Sequence, residues 1–370
     1  MKQLKGRFQS NVSVEAIPFS LLETVFFDIE TTGFAAKSSK LYLIGILYAT
    51  DLNGTFEYVQ FFAEKEEEEA LVLFHFFNSV KNFKNIVHFN GNGFDIPYLL
   101  TKCRSYNMLF NFDCFTGYDL YKEAQKYKSC FKTENLKQKT LEEFFGIFRE
   151  EKYSGRELIN LYYEFLEEQT ASKKETLLEL LLLHNLQDIR GMLSLLGIYS
   201  YSCAFHGGFT FDSYIMNEFK GYDNHIRKEL LINFTLIHSV PVKISGGNDV
   251  FYFSMNGKSC KIRVLVRTDE LKFFYPDFKN YYYLPKEDFA IHKSVSFYVD
   301  KDYRTQAKAA TCYSKKSGCF LPEYEEIICP YFKAEYNDKI LYFEADPEFL
   351  SDEKKLKDYA LHVLELIKKM

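Results

Sequence analysis

Four acids sit in stretches of sequence too apolar to leave them in water. Asp28 and Glu30 interrupt the run Thr24-Val25-Phe26-Phe27-Asp28-Ile29-Glu30. Asp95 follows Ile86-Val87-His88-Phe89 and a glycine-rich turn, and Asp188 lies in the leucine-rich segment that begins at Leu177. Burying carboxylates is costly, and clustered carboxylates resist ionising together unless a cation offsets them. A chain carrying these three segments therefore has to bring them around one shared cation pocket. That requirement restricts the fold more than length or composition does.

Local patterns say how each acid is presented. Residues 24–30 are β-branched and aromatic and are stopped by Gly33, which predicts a buried strand. Strand alternation sends Asp28 and Glu30 to one face and Ile29 into the core. The plain alternative is a solvated strand end. An Asp-x-Glu triplet is common in a chain with 26% charged residues, so the apolar context carries the inference. Residues 85–100 predict strand, tight turn and helix, with Asn90-Gly91 and Asn92-Gly93 suited to positive φ. Asp95 then falls at a helix start, with Pro97 in the first turn, where an acid also simply suits the macrodipole. Residues 177–199 predict an apolar helix, and His184 and Asp188, four apart, share one face of it. His184 there can orient or deprotonate a metal-held water, although a surface His–Asp pair would look the same.

Together these segments resemble the exonuclease motifs of the DEDD superfamily. Phe26-Phe27-Asp28-Ile29-Glu30-Thr31-Thr32-Gly33 is similar to its first motif. Asn90-Gly91-Asn92-Gly93-Phe94-Asp95-Ile96-Pro97-Tyr98-Leu99 is similar to its second, and His184-Asn185-Leu186-Gln187-Asp188-Ile189 occupies the third. Members with His in the third motif usually place it five before the last Asp, and those with Tyr place it four before; this chain has His at the Tyr spacing. A closer resemblance is to the bacterial YprB-type ribonuclease H-like family. It extends to Leu141-Glu142-Glu143-Phe144-Phe145-Gly146-Ile147, Tyr153-Ser154-Gly155-Arg156-Glu157 and Leu161-Tyr162-Tyr163-Glu164-Phe165. The likeness covers residues 20–200 and leaves the second half uncovered.

The resemblance implies an α/β fold of ribonuclease H-like type, a mixed sheet flanked by helices, and a two-metal 3′→5′ exonuclease acting on single-stranded DNA or RNA. Asp28, Glu30, Asp95 and Asp188 would hold two Mg²⁺ or Mn²⁺ ions, with His184 as general base. Such ions, about 3.5–4 Å apart, stabilise the attacking hydroxide and the leaving oxygen. Thr31, Thr32, Phe34, Asn90 and Phe94 would contact the terminal nucleotide, with core packing as the ordinary alternative for Phe34. The rival readings are a structure-selective endonuclease on the same fold, or a non-catalytic nucleic-acid-binding or scaffold protein.

No early segment reads as a signal peptide and no apolar stretch reaches spanning length, so a cytoplasmic protein without membrane attachment is expected. Eight scattered cysteines with no C-x-x-C pair argue against zinc. The net charge of −5 does not advertise nucleic-acid binding, yet residues 251–320 hold 13 Lys and Arg against 7 Asp and Glu. There the basic residues, including Arg304, Lys308, Lys315 and Lys316, interleave with Phe273-Phe274-Tyr275 and Tyr281-Tyr282-Tyr283. That combination can bind single strands, or the rings can be β-core and the lysines merely solvated.

Residues 1–20 read as a poorly anchored arm, residues 21–200 as the ribonuclease H-like domain, and residues 201–370 as a smaller α+β domain. In the first domain, strands are expected near 24–30, 41–49, 56–62 and 86–90, with Asn53-Gly54 turning a hairpin. Helices are expected near 66–83, 94–106, 116–127, 140–146, 156–168 and 174–199. The run Glu66-Glu67-Glu68-Glu69 reads as a solvated first helical turn. Beyond residue 200, strands are expected over 230–239, 249–254 and 259–268, with Asn256-Gly257 as a hairpin turn, and a closing helix over 351–370.

Overall fold

The computed structural model describes every residue except 13, 150–152, 222, 223 and 370. The chain divides into two compact units, residues 1–203 with 240–242, and residues 204–239 with 243–370.

The first unit is built on a six-stranded mixed sheet. Its strands are β1 (Lys2–Gln9), β2 (Thr24–Thr31), β3 (Leu41–Ala49), β4 (Thr55–Phe62), β5 (Asn85–His88) and β6 (Thr116–Asp119), in the order β1-β4-β3-β2-β5-β6. β2, β3 and β4 pair antiparallel, whereas β5 runs parallel to β2 and β6 parallel to β5. The parallel joins require crossovers, and the helices between them supply these. Those are α1 (Glu69–Val80) and α2 (Asp95–Ser105); α3 (Leu120–Gln125), α4 (Lys128–Phe131), α5 (Gln138–Phe144), α6 (Gly155–Glu167), α7 (Ala171–Leu195) and α8 (Ile198–Phe205) follow β6. Phe27 of β2 packs its ring 5.5 Å from Phe76 of α1, while the next residue, Asp28, faces α7. Alternation on this central strand thus separates an apolar face from an acidic one.

In this first unit three expectations need correction. Residues 2–9 are not a loose arm: they form the edge strand β1, paired with β4 from Lys2↔Phe62 to Gln9↔Thr55. Their polar alternation suits an edge strand solvated on one face. The helix expected over 116–127 begins only at Leu120, because Thr116–Asp119 adds the outer strand β6. The Glu66–Glu69 run is not wholly solvated. Glu69 is buried, with its carboxylate 2.7 Å from Lys102 Nζ and accepting the Leu41 N–H and the Tyr106 hydroxyl. Burial there is compensated by a cation and two donors.

The second unit carries a six-stranded sheet from β7 (Phe209–Lys220), β8 (Ile226–Gly247), β9 (Phe251–Phe274), β13 (Tyr313–Glu323), β14 (Tyr331–Phe332) and β15 (Leu341–Glu344). A small three-stranded sheet, from β10 (Tyr281–Leu284), β11 (Phe289–His292) and β12 (Thr305–Gln306), is inserted between β9 and β13. The helices α9 (Pro347–Ser351) and α10 (Glu353–Lys368) close the unit. The hairpin expected at Asn256-Gly257 does not form. β9 runs through it unbroken although Gly257 has φ +57°, and the chain reverses between β8 and β9, just after Gly247 at φ +135°. Among the described residues no helix is long and apolar enough to cross a membrane.

Candidate metal centre

β2 presents Asp28 and Glu30 to α7, and α7 answers with His184, Asn185 and Asp188, all within about one helical turn. His184 Nε2 lies 3.2 Å from Asp188 Oδ2 and 3.7 Å from Glu30 Oε1. Glu30, His184 and Asp188 each offer a ligand atom within 4.8 Å of the others. Asp95, the first residue of α2, is drawn in from the other direction: its carboxylate accepts the N–H of Ile29, the residue between Asp28 and Glu30. All five residues expected to do chemistry therefore meet at the end of one strand.

Asn185, which sequence reading gave no role, holds Asp28 in place. It is fully buried, and its Nδ2 donates to Asp28 Oδ2 at 3.0 Å. Its Oδ1 accepts from Gln60 Nε2 at 2.9 Å, and the same Gln60 amide donates to the Leu182 carbonyl at 2.8 Å. Because Gln60 supplies the donor, the Asn185 amide must turn its own N–H₂ toward the carboxylate. The packing is close: Gly45 of β3 stands opposite Asp28, and a Cβ there would overlap the Asn185 amide. Gly45→Ala should therefore cost about 2–4 kcal/mol by overpacking and by breaking a buried polar chain. Urea denaturation measures it, and an unchanged midpoint would refute the close approach.

The turn that delivers Asp95 is fixed by two further buried groups. Asn90 adopts φ +59°, and its N–H donates to Asp119 Oδ1 at 2.9 Å. The same Asp119 oxygen caps α3 through the N–H groups of Tyr121 and Lys122. Gly91 N–H donates to His88 Nδ1 at 3.0 Å, which requires a neutral imidazole. Burial supplies it, pushing His88 down to about 4.

The electrostatics of the cluster are repulsive. Burial, and then the charges of Asp188, Glu30 and Asp95, hold the Asp28 carboxyl well above the usual range. Burial, with Asp188 and Asp95, does the same to Glu30. Asp95 is pushed up to about 7 by burial, against the lowering effect of its N–H bonds. Among the described residues, one guanidinium reaches the cluster. Arg149 Nη1 donates to Asp188 Oδ1 at 2.7 Å while the rest of its guanidinium is gripped by buried Glu142. Glu142 reaches across because Gly191 of α7 has no side chain; a Cβ there would overlap it. The segment Leu141–Ile147 was legible only as a family resemblance, and this arrangement gives it a physical role. One guanidinium is too little for four acids. A hard, oxygen-rich donor set under mutual repulsion fits a divalent cation.

The expected substrate contacts are less uniform. Phe34 is 93% exposed, which removes the core-packing alternative, and meets Phe94 edge-on at 5.9 Å. Asn90 is also exposed. The hydroxyls of Thr31 and Thr32 are engaged within the loop: Thr31 donates to the Gly33 carbonyl and Thr32 accepts from Lys40 N–H. The eight cysteines are free thiols, and among the described residues the Glu30–His184–Asp188 set is the one metal-competent cluster.

The sequence has no match among curated proteins. Among solved structures it is similar to an E. coli exonuclease I–single-stranded DNA complex with bound zinc, at 9% identity and TM-score 0.32, covering 58% of this chain and 55% of that one. An exonuclease I complex with the SSB C-terminus and apo exonuclease I score 0.29 and 0.26, both at 9% identity and 58% coverage of this chain, with 55% and 56% of those chains covered. The alignments thus span little more than half of these relatives, and likeness at that level carries no functional information. The sequence profile of the RNase_H superfamily, by contrast, matches residues 25–199, the stretch from β2 into α8. Residues 25–199 are a ribonuclease H-like domain.

Proposed function

We propose that this protein is a metal-dependent 3′→5′ exonuclease that hydrolyses phosphodiester bonds at the ends of single-stranded DNA or RNA, of the YprB type. The observation that carries the reading is the convergence of Asp28, Glu30, Asp95 and Asp188, with His184, at the end of β2. The four acids would hold two Mg²⁺ or Mn²⁺ ions. When bound, such ions supply the charge that acidifies a water and neutralises phosphate oxygens. The chain's own groups do the remainder. His184 Nε2 faces the acids, 3.2 Å from Asp188 Oδ2 and 3.7 Å from Glu30 Oε1, and with those carboxylates taken up by cations its lone pair would accept the proton of the attacking water. Asn185 fixes the Asp28 carboxylate, so that little reorganisation is left for the reaction. Phe34, exposed beside Phe94, offers a ring face to the last base.

The test is a 5′-labelled oligonucleotide panel, DNA and RNA, single- and double-stranded, with Mg²⁺, Mn²⁺ or chelator. A ladder shortening one nucleotide at a time from the 3′ end is expected with metal and none with chelator. Cuts at internal positions would make the protein an endonuclease. Binding without turnover under any divalent metal would make it a non-catalytic binder.

A further inference from the structure

The second unit contains an aromatic cavity that the metal centre does not use. It has a volume of about 650 Å³ and is walled on one side by Phe273, Phe274, Tyr275 and Phe278, on the other by Tyr331 and Tyr336. The two walls come from distant stretches joined by paired backbone bonds between Lys272 and Lys333, at 2.8 and 2.9 Å. The rings are braced against one another before any ligand arrives. Phe274 meets Tyr336 edge-on at 5.3 Å, Phe273 meets Phe332 at 6.0 Å, and Tyr275 stacks on Tyr281 at 4.6 Å. A braced, aromatic-lined cavity of this size is suited to one small planar molecule (about 300–1,000 Å³ is usual).

Two features narrow the ligand class. Glu326 and Cys329 also line the cavity, with the thiol donating to one Glu326 oxygen at 3.1 Å, so the lining offers a carboxylate acceptor among rings. A planar ligand that donates an N–H in its own plane matches this, as the exocyclic amine of cytosine does. Lys279 and Lys308, next in sequence to the lining residues Phe278 and Ala309, are exposed, and neither has an ion pair among the described residues. Cations flanking a ring-lined cavity are the arrangement that binds single strands, bases against rings and phosphates against lysines. An apolar peptide would leave both lysines without a counterpart.

We propose that this cavity receives one unpaired base of a nucleic-acid single strand, with Lys279 and Lys308 facing the adjoining phosphates. The proposal rests on the nucleic-acid substrate proposed above, but it concerns a second, non-hydrolytic site. It gives the basic, ring-rich stretch 251–320 a role that uses only some of its residues. Tyr313, for example, spends its hydroxyl on Asp288.

The experiment uses the full chain in chelator, so that nothing is cut, and compares labelled oligo(dC) with an abasic strand of equal length by fluorescence anisotropy. The base-bearing strand should bind roughly 5- to 100-fold tighter. Tyr336→Ala and Phe278→Ala should each shrink that ratio toward one, while Tyr336→Phe keeps it; Tyr336 is 41% exposed and can be replaced without emptying the core. An unchanged ratio in both alanine variants, or equal binding of both strands to the wild type, overturns the proposal. An unchanged ratio with a shift from dimer to monomer in Tyr336→Ala would assign the cavity to a second copy of the chain and overturn it equally. Metal-dependent hydrolysis of bis(p-nitrophenyl) phosphate, which carries no base, reads the other site separately. Hydrolysis with an unresponsive ratio sinks the cavity proposal alone, whereas a responsive ratio without hydrolysis supports it and sinks the nuclease.

Discussion

Asp28→Asn should abolish metal-dependent cleavage, by at least about 10³-fold, and at the same time make the metal-free protein more stable. The two effects have one cause. Asp28 is buried among Asp188, Glu30 and Asp95, and its carboxyl is held well above its ordinary range. An amide of the same shape keeps an oxygen for the Asn185 N–H₂ and replaces a repelling charge with a donor toward the remaining acids. The gain in chelator should be on the order of 1–3 kcal/mol. With divalent metal the order should invert, because the wild type is stabilised by ion binding and the variant is not. Cleavage rates and urea midpoints, each with and without metal, measure both halves. A variant that is inactive but less stable in chelator would mean that Asp28 is a structural acid and not one held against repulsion for a cation.

In chelator, the melting temperature of the wild type should fall as pH rises from about 5 to 8, and added Mg²⁺ or Mn²⁺ should reverse that slope. The sign follows from raised carboxyl pKa values. A group pushed up on folding contributes stability that is complete below its ordinary pKa and is lost as pH climbs through the folded value. Asp95, at about 7, spreads its share of that loss from its ordinary range up to neutrality, and Asp28 and Glu30 act in the same direction. The fall should be on the order of 5 °C. Metal needs the deprotonated acids, so its stabilising effect grows over the same interval. The second unit contributes a term of the same sign, since burial pushes Glu323 up to about 7 and one of its oxygens has no hydrogen-bond partner among the described residues. Glu323→Gln removes that share, and Asp95→Asn should flatten the rest. Buried His88, pushed down to about 4, adds a term of the opposite sign that is complete by about pH 6.5, so a chelated profile that rises with pH above that point would contradict the burial of the acids.

Arg149 stands in a different relation to the site. Its guanidinium bridges Glu142 and Asp188, so part of the compensating charge is built in and does not depend on an ion. That leaves the Asp188 oxygen facing His184 and Glu30 as the one directed at the centre.

How much of this was legible depends on distance along the chain. Strand alternation placed Asp28 and Glu30 on one face, and helical periodicity placed His184 and Asp188 on another, because both periods belong to the backbone itself. The sequence by itself therefore determined which acids each segment would present, and that the segments needed one another to bury them. What it could not determine were the pairings. Asn185 locks Asp28 only because Gln60 and Gly45 arrive from two neighbouring strands. Arg149 reaches Asp188 only across a helix contact that Gly191 leaves open. Residues 2–9 are a strand only because β4 offers an edge, and the aromatic cavity exists only where β9 meets the stretch after residue 326. Each of these is a contact between segments whose register is settled by packing, and packing energy is a property of the assembled chain, not of any local window.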